Sequence, residues 1–266
     1  MVIIDNFFIR YKTPSQYVYW GENYADIYRL SDTAKTFNKV RTIDNVSLTG
    51  ITGDGFQVIA RELLSLDTGI ILNSGQFIFN IFEFEKIPLK ESLKNELVEW
   101  RLKKVFPENI GDYEHNYYKL NRNRILSILF KKSLKQKIET LFGESNIPLV
   151  YLGNSTVETV NHLAAAKKEA PDFFMEIDKG LSILVFQDQA VPFYIRKFRG
   201  EQAADIAGEV LKTINYVKTS YSKVPRSFSL VIRRSDVDYG QVNDELAKMD
   251  ILPRELKNNE QFIFPI

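Results

Sequence analysis

Apolar and polar residues fall into short runs with two rhythms, one repeating about every second residue and one about every 3.6, and the two alternate along the chain. Met1–Arg10 predicts an N-terminal strand or arm. YVYWGENYADIYRL, Tyr17–Leu30, predicts two strands around a compact turn at Gly21-Glu22-Asn23, and Phe37–Leu48 a further strand. Phe56, Ile59, Ala60, Leu63 and Leu64 share one helical face, which predicts a helix over Gly53–Leu66 with Gly69 as its stop. Ile70-Ile71-Leu72 is a buried strand, Asn73-Ser74-Gly75 a turn, and Gln76–Phe84 the next strand.

The second rhythm returns after Pro88, a residue suited to a helix start. Leu89, Leu93, Leu97 and Trp100 recur at helical spacing, flanked by Lys and Glu, and predict a helix that Pro107 ends. Strands are expected at Tyr113–Leu120 and Arg124–Phe130, a helix over Ser133–Phe142, a strand at Ile147–Tyr151, and a helix over Ser155–Lys167 capped by Ser155. The most regular stretch is FFMEIDKGLSILVFQDQAVPFYIRKFRG, Phe173–Gly200. It predicts strand Phe173–Ile177, a corner at Asp178-Lys179-Gly180, strand Leu181–Gln187, a turn at Asp188-Gln189 and strand Val191–Lys197. A helix over Glu201–Thr219, strand Ser227–Ile232, a helix over Gln241–Met249 and edge strands at Ile251–Leu256 and Phe262–Phe264 follow. The order strands, helix, strand, helix occurs twice, with a change-over near Ala170-Pro171-Asp172. The class is α/β.

Composition narrows the chemistry. The chain has 266 residues, 44% of them hydrophobic, enough for one large core or two modest ones. A net charge of +1 gives no global field toward DNA or anionic lipid, and no DNA partner is expected. Cysteine is absent, which excludes disulfides and thiolate metal sites and fits a cytoplasmic setting. MVIIDNFFIRYK has no basic region ahead of a long apolar run, so no secretory leader is expected, and no run is long enough for direct membrane insertion. His115 and His162 share no metal-ligand spacing, and no metal site and no catalytic residue is assigned. Ser74 reads as turn chemistry. The basic pairs, Arg233-Arg234 among them, read as solvated faces, and Lys131, Lys132, Lys135 and Lys137 form the one cluster long enough to contact phosphate or another protein.

Asp178 is the best chemical candidate. A short acidic corner ending in Gly180, which takes a positive φ freely, can turn backbone N–H groups toward a phosphate. Asp178 would then hold a metal-bound water and Ser182 would add a hydroxyl. Asp178 also orders an ordinary hairpin turn equally well. The matching corner in the first half, Gly21-Glu22-Asn23, has no Asp before its glycine, and Asp26 stands several residues late. No glycine-rich loop follows strand Ser227–Ile232; Arg233-Arg234-Ser235-Asp236 stands there instead.

From Gly69 onward the order of elements resembles the actin-like superfamily, and within it the PilM-like proteins of type IV pilus assembly and the related cytoplasmic domains of type II secretion. KIPLKESLKNELVEWRLKKVFP looks like that family's strand, amphipathic helix and proline block, RILSILFKKSLKQKIETLFGESNIPLVYL like its strand, helix and strand, and the Phe173–Gly200 hairpin like the opening of its second half. The length also resembles an uncharacterised Bacteroidetes family of small actin-like-fold proteins. The resemblance implies a duplicated, ribonuclease H-like fold with two mixed sheets flanked by helices and a cleft between them. Residues 1–170 would form the first half, with an inserted strand-helix subdomain, and 171–266 a shortened second half. Asp178, Gly180 and Ser182 are the positions it carries over. No cofactor is predicted from the residues; ATP with magnesium is the ligand the resemblance implies. The expected function is a degenerate nucleotide-fold scaffold that binds the cytoplasmic tail of an inner-membrane protein. The alternatives are an ATPase or small-molecule kinase using Glu22, Asp26 and Asp178, and an RNA-associated factor using Lys131, Lys132 and Lys135.

Overall fold

The structure is a computed structural model that describes residues 7–31, 36–106, 110–166, 170–200, 202–235, 239–255 and 264. The chain divides into two compact units, Ile4–Glu158 with 263–265 and Thr159–Phe262 with the outermost residues. The expected edge strand at Phe262–Phe264, the start of the arm at Met1 and the stop at Pro107 fall outside the described residues, apart from Phe264.

The first unit is built on a six-stranded sheet. Its strands are β1 (Phe7–Arg10), β2 (Gln16–Trp20), β3 (Tyr24–Leu30), β4 (Phe37–Asp44), β5 (Thr68–Leu72) and β9 (Leu149–Asn154), in the order β1-β9-β5-β2-β3-β4. β2, β3 and β4 form an antiparallel meander, while β5 and β9 run parallel to β2. Helices α1 (Gly53–Ala60) and α3 (Lys132–Glu144) supply apolar rings to one core layer, where Trp20 stacks on Phe56 at 6.1 Å and Phe56 meets Phe142 at 5.0 Å. A second layer is aromatic: Tyr17, Tyr19, Tyr24, Tyr28 and Tyr151 cluster with Ile71, and Phe264 inserts among them, 5.1 Å from Tyr17 and 5.0 Å from Tyr28. Gly69, expected as a helix stop, lies inside β5 instead. A Cβ there would run into the Tyr17 ring, so the residue is set by close packing. The helix ends at Ala60, and Arg61–Asp67 make turns.

Inserted between β5 and β9 is a three-stranded antiparallel sheet, order β6-β8-β7, of β6 (Phe77–Glu83), β7 (Tyr113–Lys119) and β8 (Arg124–Lys131). Helix α2 (Glu91–Val105) packs on it. The residues whose spacing predicts the helix are not the ones it buries. Val98 and Leu102 are the buried residues, against Phe82, Ile125 and Leu129, while Leu89, Leu93 and Trp100 point to solvent. Both stripes have helical spacing, and Ile87 and the Phe82/Ile125 row select the inner one.

The second unit repeats the plan. β10 (Phe173–Asp178), β11 (Leu181–Asp188), β12 (Val191–Arg199), β13 (Ser227–Arg234) and β14 (Leu252–Pro253) run in the order β12-β11-β10-β13-β14. Again three strands form an antiparallel meander and two run parallel beside the first. Helices α5 (Ala203–Tyr221) and α6 (Gly240–Ala247) pack on one face, where Phe173 stacks between Phe186 at 4.8 Å and Phe228 at 5.8 Å. The second turn of the hairpin falls at Gln189-Ala190, one residue later than expected, because both residues adopt positive φ. Helix α4 (Ser155–Ala166) links the units. Its cap is Asn154, not Ser155: the Val157 N–H donates to Asn154 Oδ1 at 3.1 Å.

Candidate functional site

The corner between β10 and β11 is a two-residue turn. Lys179 and Gly180 have φ of +44° and +80°, the paired left-handed geometry whose twist matches a tight hairpin. The Lys179 N–H donates to the Arg234 carbonyl at 2.8 Å, and the Gly180 carbonyl accepts from the Gly200 N–H at 3.0 Å. These bonds tie the corner to β13 and to the end of β12.

Asp178 is buried at the end of β10. Two residues back on the same side of the strand is Glu176, also buried. Arg233, on β13, meets it: Nε donates to Glu176 Oε1 at 3.1 Å and Nη2 donates to Thr159 Oγ1 at 2.8 Å. Both charged side chains are almost fully enclosed. Arg233 is therefore not a solvated residue, as its Arg-Arg context suggested. A buried carboxylate demands a cation, and Arg233 is placed by strand register to supply it. Lys197 of β12 pairs with Ile183 on this same face, and burial followed by the neighbouring charge of Arg199 lowers its ammonium from the ordinary lysine range.

Ser182 does not converge with Asp178. It lies opposite Ile177 and Phe198, both of which belong to the cluster that α5 packs against, whereas Asp178 lies opposite Leu181. Its Oγ is buried without a hydrogen-bond partner. In the first unit Glu22 is half-buried in the β2–β3 turn. Asp26 is committed to its own sheet, accepting from Thr42 Oγ1 at 2.5 Å and from Lys39 Nζ at 3.4 Å.

The remaining candidates also find partners. Ser74 is the hub of a buried polar cluster: its Oγ donates to Thr156 Oγ1 at 2.6 Å and accepts from Asn154 Nδ2 at 2.9 Å, while Asn73 Oδ1 caps the next turn at the Gly75 N–H. In the basic cluster, Lys132 reaches the Gly111 carbonyl at 2.7 Å, Lys135 the Glu114 carboxylate at 2.9 Å and Lys137 the Thr49 carbonyl at 2.9 Å. Among the described residues no three histidines or carboxylates gather as a metal-binding group. Glu176 and Arg233 escaped sequence reasoning. The signal was one Glu inside an otherwise apolar strand, which had to be answered by a cation from a neighbouring strand.

No protein-family model and no curated protein sequence matches the chain. Solved structures do, and they define the class of fold: it is similar to the actin-like ATPase fold. A PilM–PilN type IV pilus biogenesis complex is similar with a TM-score of 0.69 at 12% identity, over 95% of this chain and 90% of that one. A Bacteroides thetaiotaomicron protein of unknown function with an actin-like ATPase fold is similar at 0.63 and 12% identity, over 94% and 95%. The cytoplasmic domain of EpsL, an inner-membrane component of the Vibrio cholerae type II secretion system, is similar at 0.60 and 8% identity, over 93% and 92%.

Proposed function

We propose that this chain is a protein-binding member of the actin-like fold, a cytoplasmic scaffold that holds a segment of an inner-membrane protein and turns over no nucleotide. The observation that carries the reading is the Glu176–Arg233 pair. An arginine from β13 neutralises the acid beside Asp178, and the Lys179 N–H is bonded to backbone. A phosphate nest needs convergent N–H groups with no other acceptor, and a magnesium site needs carboxylates with no other cation. Asp26, the acid available in the first unit beside Glu22, is held by Thr42 and Lys39. Residues of this kind do not fit Mg-ATP.

For the partner, the reading is supported by two similar structures, a pilus biogenesis complex and an inner-membrane component of a secretion system. It is also supported by β4, an edge strand. Asn38–Thr42 are exposed in succession, and among the described residues β4 pairs only with β3. An extended segment adds to such an edge through main-chain hydrogen bonds. No helix among the described residues is long and apolar enough to cross a membrane.

Calorimetric titration with Mg-ATP tests the first half of the proposal, and no binding heat is expected up to millimolar nucleotide. ATP hydrolysis by the purified protein that Asp178→Asn abolishes overturns it. A photocrosslinking residue at Val40, activated in cells, tests the second half. The expected product joins the chain to a cytoplasmic segment of an inner-membrane protein.

A further inference from the structure

Helix α2 carries two apolar stripes, and the fold uses one. Val98 and Leu102 are buried on the three-stranded sheet. On the opposite side Leu93 is 46% and Trp100 50% exposed, with Leu89 just ahead of the helix at 92%. At about 100° per residue, Leu93, Leu97 and Trp100 lie within about 60° of one another. Lys104 Nζ sits 3.9 Å from the centroid of the Trp100 ring, a cation–π contact on the outer side of the helix. An outward stripe of this kind is larger than scattered surface apolar residues require.

The charges beside the stripe decide what it fits. Glu96 and Lys103 are exposed and two turns apart, within about 20° of each other around the axis, on the same flank of Trp100. Neither has an ion-pair partner among the described residues. A parallel copy, related by an axis along the helices, would carry this flank to the far side, so Glu96 and Lys103 would not meet across the pair. An antiparallel copy brings the two flanks together. The twofold axis between two such helices keeps each flank on its own side and inverts its direction, so each Glu96 meets Lys103 of the second copy. The midpoint of residues 96 and 103 falls next to Trp100. From this self-complementarity we infer that α2 is a homodimer surface: two copies of this chain pair antiparallel through α2, with the Trp100 rings at the centre and a Glu96–Lys103 ion pair at either end. The contact is isologous and closes after two copies. One helix face against another buries less than the standard interface, so the dimer is weak and concentration-dependent.

Sedimentation equilibrium on the full chain, from about 10 µM to about 1 mM, reads it directly. The average mass is expected to rise from monomer toward dimer across that range. Trp100→Glu, a half-exposed position, abolishes the rise. Glu96→Lys and Lys103→Glu each weaken association about tenfold, and the two together restore it, because the reversed pair is again complementary. Val58→Glu, an exposed apolar position on α1, leaves it unchanged. Circular dichroism checks that each variant is folded. A monomer at every concentration overturns the inference. So does a dimer that survives Trp100→Glu, or a double reversal that recovers nothing the single ones lost.

Discussion

At the residue scale, Glu91, Lys94 and Tyr117 show how one hydrogen bond sets a pH response. Tyr117 donates to Glu91 Oε1 at 2.6 Å, tying β7 to the first turn of α2. Burial and then this bond raise the phenol well above the ordinary tyrosine range; Glu91 is lowered, mainly by its bond to Lys94 and then by Tyr117. Folded protein thus holds the Tyr117 proton more tightly than unfolded chain does. The stabilisation is complete below about pH 10, where an unfolded tyrosine stays protonated, and is lost as pH rises beyond that. Urea midpoints measured between about pH 9 and 12 should hold up to about pH 10 and then fall, more for the parent than for Tyr117→Phe. Glu91 has the opposite sign: its contribution is present above the ordinary carboxylate range and fades as pH falls through its lowered value. Asn154 makes a second residue-level case. It caps α4 and donates to Ser74, so Asn154→Ala removes a cap and one of the hydrogen bonds to a buried hydroxyl. A loss of about 2 kcal/mol in denaturant unfolding is expected.

At the scale of elements, the hairpin was nearly complete in the sequence. Phe173–Ile177 and Leu181–Phe186 are nearly continuous apolar runs bounded by turn residues, and the positive-φ requirement at the corner points to Gly180. Helix α2 was legible as a helix and illegible as to face. Its two apolar stripes have equal periodicity, and which one is inward depends on Phe82, Ile125 and Leu129, residues on two other strands. The same limit explains Arg233: the residues that follow it are polar, while its partner Glu176 lies 57 residues away in the chain. Asp178 and Ser182 looked like one site because they are close in sequence, but the pleat sends them to opposite faces. The two stripes of α2 are separable by mutation. Val98→Asp buries a charge and should cost several kcal/mol, whereas Leu93→Asp should stay within about 0.5 kcal/mol. Thermal melts of the two variants make the comparison.

At the scale of the whole molecule, the duplicated strand order gives each unit a core of its own. Both tryptophans, Trp20 and Trp100, belong to the first unit. Tryptophan fluorescence therefore reports that unit, while far-ultraviolet circular dichroism reports both. Phe186→Ala removes a stacked ring from the second core, a loss of about 3–5 kcal/mol. It should move part of the dichroism transition to lower denaturant and leave the fluorescence midpoint in place; two probes that shift together would mean one cooperative unit. The ring of Phe264 bears on how such a protein is made. It closes the tyrosine layer of the first unit, yet residues 159–262 separate it from the strands it covers. A ribosome synthesising the chain has to complete the second unit before the first receives this ring. Until then Tyr17 and Tyr28 lack their cover, and the earlier-born unit waits on a late segment to finish folding.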